Sequence, residues 1–400
     1  MRRLLAVFGT LSMLFCGSAA AQQPEPQWQT VLDKARGQEV FWNAWGGGDV
    51  YNNYIDWVAG RVAEEYGVTL RHVKLGDTAE AVRKVLAERS AGRSTDGAVD
   101  LIWINGENFK TMKDSALLYG PFTDRLPNFK LVDTDEKPTT VLDFTVPTDG
   151  LESPWGMAKL VFVHDTAVLS DPPKSIAAIL EHAKANPGRI TYPAPPDFTG
   201  TTFLKQALYE LVENPVDLLS PAGENFDAVT APLWNYLDAL SPLMWREGRD
   251  FPKTGTAQRQ LLSDGAVDLS YSFNIGEASS AIAEGLLPDT ARTYVLDGGT
   301  IGNTHFVAIP FNAAHKDGAM VVANFLLSPE AQARKAHPDI WGEQTVLSMD
   351  RLSDDDRALF ENLPRGVATL SETDLGKTLP EPHPSWMVRI EEAWLKRYGS

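Results

Sequence analysis

Two short segments carry residue types suited to gripping a small molecule: Trp45-Gly46-Gly47-Gly48-Asp49 after an apolar run, and Thr199-Gly200-Thr201-Thr202 after Tyr192-Pro193. Glycine at the end of a strand lets backbone amides approach a ligand, and a helix that begins there favours negative charge. One glycine turn is ordinary turn chemistry. Two, in different halves of the chain, point to a grip on an anionic or polar group. Trp45, Trp103, Trp155, Trp245 and Tyr271 lie in loops or at strand ends and offer stacking faces for a planar, sugar or cationic ligand. A good cation–π face contributes roughly 0.5–2 kcal/mol, although core packing is the commoner role of any single aromatic. Asp49, Glu107, Glu152 and Asp197 neighbour these positions and are suited to neutralise a cation, or to serve as surface carboxylates and helix caps. The expected ligand-binding set places Trp45, Gly46, Gly47, Trp103 and Asn105 opposite Thr199, Gly200, Thr201, Thr202, Tyr271 and Asn274, with Trp155 at the edge. An aromatic cage with helix N-termini fits a thiamine-like molecule or its phosphate ester. Aromatics and carboxylates alone fit a polyamine.

Residue patterns for covalent chemistry are missing. His72, His164, His182, His305, His315, His337 and His383 are scattered, without the His-Glu-x-x-His spacing of a zinc protease. No Gly-x-Ser-x-Gly elbow occurs. Gly376-Lys377-Thr378 is preceded by Ser371 where a phosphate loop needs its first glycine. No adjacent tyrosine pair is present to hold ferric iron, and the 53 acidic residues make chance carboxylate pairs uninformative. No catalytic residue, metal ligand or cofactor is therefore expected. The alternatives are a hydrolase of small substrates, a polyamine, sugar or ferric-ion binder, and a scaffold with a filled cleft; turnover of a bound compound would favour the first.

The elements that must position these residues alternate. Strands are expected at Glu39–Asn43, Val68–Val73, Val99–Asn105, Leu160–His164, Arg189–Tyr192, Val267–Phe273 and Phe306–Ile309. Helices are expected over Val50–Tyr66, from Asp77 to Ser90 behind a reciprocal Asp77/Glu80 cap, and over Ile176–Ala185, Thr202–Val212, Ala228–Leu240, Ala257–Leu262 and Ala314–Leu327. Strand–helix alternation implies parallel, doubly wound α/β sheets. An echo supports two of them. Asp96-Gly97-Ala98-Val99-Asp100-Leu101 recurs as Asp264-Gly265-Ala266-Val267-Asp268-Leu269, with Trp103 and Tyr271 at the same offset. Ligands bind beyond the carboxyl ends of strands in such sheets. The expected division is a leader over 1–21, a first lobe over 22–154, a second lobe with hinge segments over 155–305, and a portion over 306–400 that returns to the first lobe and ends in a helical tail. Hinge candidates are Trp155–Val163 and Asn274–His305.

The beginning of the chain reads as an export signal. Arg2 and Arg3 precede the apolar stretch Leu4 to Phe15, and Ser18-Ala19-Ala20-Ala21 offers cleavage after Ala21. Cleavage would remove Cys16, the single cysteine, leaving no disulfide or thiolate ligand. It would also take Arg2 and Arg3, moving the net charge from −17 to −19. So acidic a chain repels polyphosphates and anionic membranes, which excludes nucleic acid as a partner. A soluble, monomeric periplasmic protein is expected.

Longer segments carry a family resemblance. Phe41-Trp42-Asn43-Ala44-Trp45-Gly46-Gly47, Asp100-Leu101-Ile102-Trp103-Ile104-Asn105-Gly106, Leu151-Glu152-Ser153-Pro154-Trp155, the stretch Asp197 to Leu211, and His383-Pro384-Ser385-Trp386-Met387 resemble the periplasmic solute-binding proteins of ABC transporters, most closely the YnjB-like family. The resemblance covers nearly the whole mature chain. It implies a two-lobed periplasmic-binding-protein fold, closure about a hinge and an inner-membrane ABC permease as partner, and leaves the ligand open.

Overall fold

The computed structural model describes residues 26–371 and 373–399, so the expected leader and its cleavage site lie outside the described residues. The chain begins with α1 (Pro26–Ala35), β1 (Glu39–Trp45), α2 (Asp49–Tyr66), β2 (Thr69–Leu75), α3 (Ala79–Ser90), β3 (Leu101–Ile104) and α4 (Gly106–Asp114). A small hairpin, β4 (Leu142–Asp143) and β5 (Val146–Pro147), leads into the long strand β6 (Glu152–Lys159). The chain then crosses to a second body: β7 (Val161–Asp165), α5 (Ile176–Ala185), α6 (Phe198–Leu211), α7 (Phe226–Leu240), α8 (Gly255–Ser263), β8 (Ser270–Ser272), α9 (Glu277–Ala283) and β9 (Ala291–Tyr294). It returns along β10 (Thr300–Ala308) to α10 (Lys316–Leu326), α11 (Pro329–Ala336) and α12 (Asp354–Glu361), and crosses once more through β11 (Thr378–Leu379) to α13 (Pro384–Tyr398).

Two sheets organise these elements into two lobes. The first runs β11-β10-β3-β1-β2, with β6 also paired to β10. Strands β2, β1 and β3 are parallel, as alternation requires, whereas β10 runs antiparallel to β3 and β6. Helices α1, α2, α10 and α11 cover one face through Trp42, Tyr54, Val58, Met320 and Phe325, and α3 and α4 cover the other through Val85, Phe109 and Met112. Burial on both faces is why Val99–Asn105 reads as a continuous apolar run. The second sheet is β8-β7-β9, antiparallel at both pairings, with α5, α6, α7 and α13 on one face and α8 and α9 on the other.

Several expectations change. Arg189–Tyr192 forms no strand: it ties to neighbouring loops, through the Asp268 amide donating to the Arg189 carbonyl and the Trp245 amide to that of Ile190. The boundary placed after Pro154 falls inside β6, whose pairing with β10 continues to Lys159. The last portion divides: Met320, Trp341 and Leu352 pack in the first lobe, but Trp386, Ile390 and Trp394 of α13 pack in the second. The crossings are stitched together. Buried Lys159 donates to the carbonyls of Leu375, Gly376 and Lys377 at 2.6, 3.0 and 3.0 Å and to the Thr378 hydroxyl at 3.0 Å. Gln206 of α6 bonds both the Gly299 carbonyl and the Ile301 amide. The Asp77/Glu80 cap forms as expected: Asp77 accepts from the Ala79 amide at 2.7 Å, and Glu80 from the Asp77 amide at 3.1 Å.

Candidate ligand-binding cleft

The carboxyl ends of β1 and β3 turn toward the second lobe, and the residues that follow them touch it. Tyr51, in the first turn of α2, is hydrogen-bonded to the side chain of Asn274, just past the end of β8, and burial pushes its phenol pKa up. Its ring packs on Trp45 and Trp341, both at 4.8 Å between centroids, and reaches Trp103 at 6.2 Å. On the opposite flank α4 packs against α13, and Phe144 at the tip of the β4–β5 hairpin lies 4.9 Å from the Lys205 ammonium of α6. The Phe144 ring also covers Gly106, whose φ of +61° suits glycine and where a Cβ would come within 3.0 Å of the ring.

From the first lobe, Trp45 and Gly46 are half-buried and Gly47 is exposed; the Trp45 indole folds over Gly47, where any Cβ would strike it. Trp103 is 9% exposed and belongs to the first core, edge-on to Trp155 at 4.9 Å and to His305 at 5.0 Å. Asn105 sits at the N-cap of α4 without using its side chain as a cap, leaving the amide for other partners. The Gly106 amide beside it donates to buried Asp143 at 2.7 Å.

Trp155 is not at the edge. It is fully buried among Trp42, Trp103, Tyr54 and Trp341, and the Lys335 ammonium lies 4.8 Å over its face and 5.5 Å from Trp341. The cation this cage holds is therefore the protein's own. Glu343 completes the arrangement, 2.8 Å from Lys335 and 2.7 Å from His305. Burial alone would raise the Glu343 carboxyl, but Lys335 and His305 hold it below the usual carboxylate range. Gly156 is required beneath, since a Cβ there would overlap both Glu343 and Lys335.

From the second lobe, Asp197 accepts from the Thr199 and Gly200 amides at 3.0 and 3.1 Å. It also accepts from the Gly255 amide at the start of α8, and burial raises its pKa. The N-terminus expected to bind an anion thus already carries a carboxylate. Gly200 packs so closely on the Pro193 carbonyl that no side chain fits. Thr199 remains half-buried beside Gly255 of α8, while buried Thr201 donates to Glu391 of α13 at 2.8 Å and buried Thr202 to the Phe198 carbonyl at 2.7 Å. Tyr271 is a correction: its ring stacks on Phe203 at 5.0 Å and meets Phe162 edge-on at 4.9 Å, inside the second core. Asn274 holds the Gly276 amide at 3.0 Å and meets Tyr51 of the first lobe. Of the flanking acids, Glu152 is buried inside the first lobe, which raises its carboxyl well above the usual range; Asp49 is exposed; and Glu107 is half-buried in the first turn of α4. Trp245 packs beside the second core under Arg246.

The structure adds residues that periodicity and motifs missed. Tyr51 stands beside the apolar stripe of α2 and looks like ordinary helix surface in sequence. Lys205, fully buried and 2.6 Å from Glu381, stands between Phe203-Leu204 and Ala207-Leu208 of α6, which was its one visible signal. Arg259 pairs with Glu277 at 2.9 Å, and Ser272 donates to that same Glu277. No group of three or more histidine, cysteine, aspartate or glutamate side chains among the described residues is placed to hold a metal ion. No described helix is long and apolar enough to cross a membrane.

Known proteins share this architecture. Residues 57–343 match the family described as bacterial extracellular solute-binding protein. The chain is 45% identical over 402 aligned residues to Protein YnjB of Escherichia coli K12, covering 100% of both. A putative spermidine/putrescine ABC transporter protein from Listeria monocytogenes superposes with a TM-score of 0.64 at 16% identity, over 90% of this chain and 98% of that one. The periplasmic binding protein AfuA of Actinobacillus pleuropneumoniae, with fructose-6-phosphate bound, gives 0.63 at 14% identity, over 90% and 99%. The apo ferric ion-binding protein A of Pasteurella haemolytica gives 0.59 at 13% identity, over 90% and 96%. With two α/β lobes in contact across a cleft and a full-length relative at this identity, the chain belongs to the bacterial extracellular solute-binding protein family.

Proposed function

We propose that this chain is the exported binding component of an ABC importer, cleaved after Ala21, which holds a small polar or cationic organic solute between its lobes and presents it to a permease. The observation that carries this reading is the contact of Tyr51 with Asn274, which sets the strand-end residues of the two lobes against each other. Trp103, Asn105, Thr199 and Asn274 line the space so formed, with Trp45 at its rim. Closure about the crossings beside Lys159 engages both sets at once; a ligand that touches both lobes shifts the population toward the closed form. The reading includes no chemistry of the protein's own: the described histidines that meet carboxylates do so as structural partners, His305 with Glu343, His182 with Asp268 and His315 with Asp100.

The solute class follows from charge. Lys205, Arg259 and Lys335 each have a carboxylate of their own within 3 Å, and Asp197 fills the N-terminus of α6. A phosphate ester would find no free cation among these groups, whereas an amine meets Glu107 and Glu391. The polyamine-transporter neighbour agrees with this preference more closely than the sugar-phosphate one. A thermal-shift screen of the mature protein against amines, thiamine-like vitamins, sugars and phosphate esters tests it. A solute at 100 times its Kd should stabilise the native state by about 2.7 kcal/mol. Stabilisation by phosphate esters alone would reverse the assignment, and turnover of a stabilising compound would replace binding by hydrolysis.

A further inference from the structure

Helix α4 of the first lobe packs against α13 of the second, and each brings a half-buried carboxylate to the contact: Glu107 from the first turn of α4 and Glu391 from the middle of α13. Their side-chain hydrogen-bond donors are neutral, the Asn108 amide on Glu107 at 2.5 Å and the Thr201 hydroxyl on Glu391 at 2.8 Å. The charged groups that face them are Asp77 before α3, Asp143 of the hairpin and Lys205 of α6. Lys205 is already bound to Glu381 at 2.6 Å. Lys110 and Asp114 face His383 at the N-terminus of α13. The closed contact thus gathers Asp77, Glu107 and Glu391 from both lobes around one ammonium that has its own counter-ion, and opening the cleft returns Glu107 and Glu391 to water.

From this contact we infer that closure of the lobes takes up a proton between Glu107 and Glu391, so that acid favours the closed protein before any solute binds. The inference rests on the closure reading given above. Burial pushes the Glu107 carboxyl up to about 7, with Glu391 and Asp77 adding to the rise and Lys205 opposing it. Burial moves Glu391 in the same direction. In the open form a solvated glutamate titrates near its ordinary value of about 4.3. Between those values the closed form keeps a proton that the open form has released. The closed-to-open ratio is therefore greatest below the ordinary value and falls, on the order of a hundredfold, as pH rises through 7. Burial lowers the pKa of His383, so its titration opposes closure in acid and bends the profile the other way.

Because the mature chain is free of cysteine, one cysteine at exposed Leu359 of the first lobe and one at exposed Val216 of the second can carry a fluorescent donor–acceptor pair. Single-molecule transfer efficiency from pH 4.5 to 8.5 should show two populations, the closed-to-open ratio falling as pH rises to about 7 and levelling above it. In Glu107→Gln the total change in that ratio over the range should shrink at least tenfold, and in Glu391→Gln the pH at which the fall levels off should move down. Two populations in a ratio independent of pH, or an undiminished change in Glu107→Gln, would overturn the inference and leave closure standing. A single population at every pH would remove the closure reading as well.

Discussion

The two copies of Asp-Gly-Ala-Val-Asp-Leu do the same thing with their last aspartate and different things with the aromatic residue beyond it. Asp100 accepts from the Phe41 and His315 amides at 3.0 and 2.9 Å and meets the His315 ring at 3.1 Å, anchoring β3. Asp268 meets Arg189 at 2.6 Å and His182 at 2.8 Å, anchoring β8. The copies enter separate sheets, β3 in the first and β8 in the second. Three residues past each aspartate the equivalence ends: Trp103 keeps 9% of its surface exposed and lies 6.2 Å from Tyr51, the residue that meets the other lobe, whereas Tyr271 is sealed between Phe162 and Phe203. A repeat in sequence thus records how a strand is fastened to its lobe. It does not record where the site lies.

The largest effect that could break this comparison is on Tyr271. Tyr271→Ala should cost about 3–5 kcal/mol in chemical denaturation, the cost of emptying an aromatic core position, while the folded fraction binds solute as before. Lost affinity at full stability would return Tyr271 to the cleft and restore the symmetry of the two copies. Trp103→Ala should cost a similar or slightly smaller amount of stability and in addition weaken binding at least tenfold, measured by titration of the folded protein. Next in size, Asp100→Asn and Asp268→Asn should each lose about 1–3 kcal/mol, because each leaves buried donors without a charged acceptor. A neutral result at one position alone would show that the two anchors are not equivalent. Tyr51→Phe should be smallest, about 1 kcal/mol for a single hydrogen bond, seen as a several-fold fall in closed population with the unfolding midpoint little changed.

Much of the fold was legible because its elements obey simple periods. The apolar run through Ile102 and the Asp77/Glu80 cap each have a local cause and appear in place. Arg189–Tyr192 has the composition of a strand but no neighbour to pair with, and composition cannot supply a neighbour. The apolar face of α13 announces burial without saying in which lobe. The expected site was legible as position where a local cause sufficed: Asn105 stands at the N-cap of α4, and Asn274 just past β8 in contact with Tyr51. It was misread at Trp155 because the cation it stacks on, Lys335, lies 180 residues away and its counter-ion Glu343 eight residues further, spacings with no local signature. The anion grip at Thr199–Gly200 was misread for a nearer reason: Asp197, two residues before, was visible as a cap, and a cap consumes the amides it satisfies.

Hydrogen exchange on the mature protein, with and without a solute drawn from the thermal-shift screen, tests most directly whether the ligand is held between the lobes. Saturating solute should slow exchange together in the segment from Trp45 to Tyr51, at Trp103–Glu107, and in the segment from Ser272 to Glu277, since these come from both lobes and meet only across the cleft. Protection confined to one of the two lobes, or lying wholly outside these segments, would contradict the account.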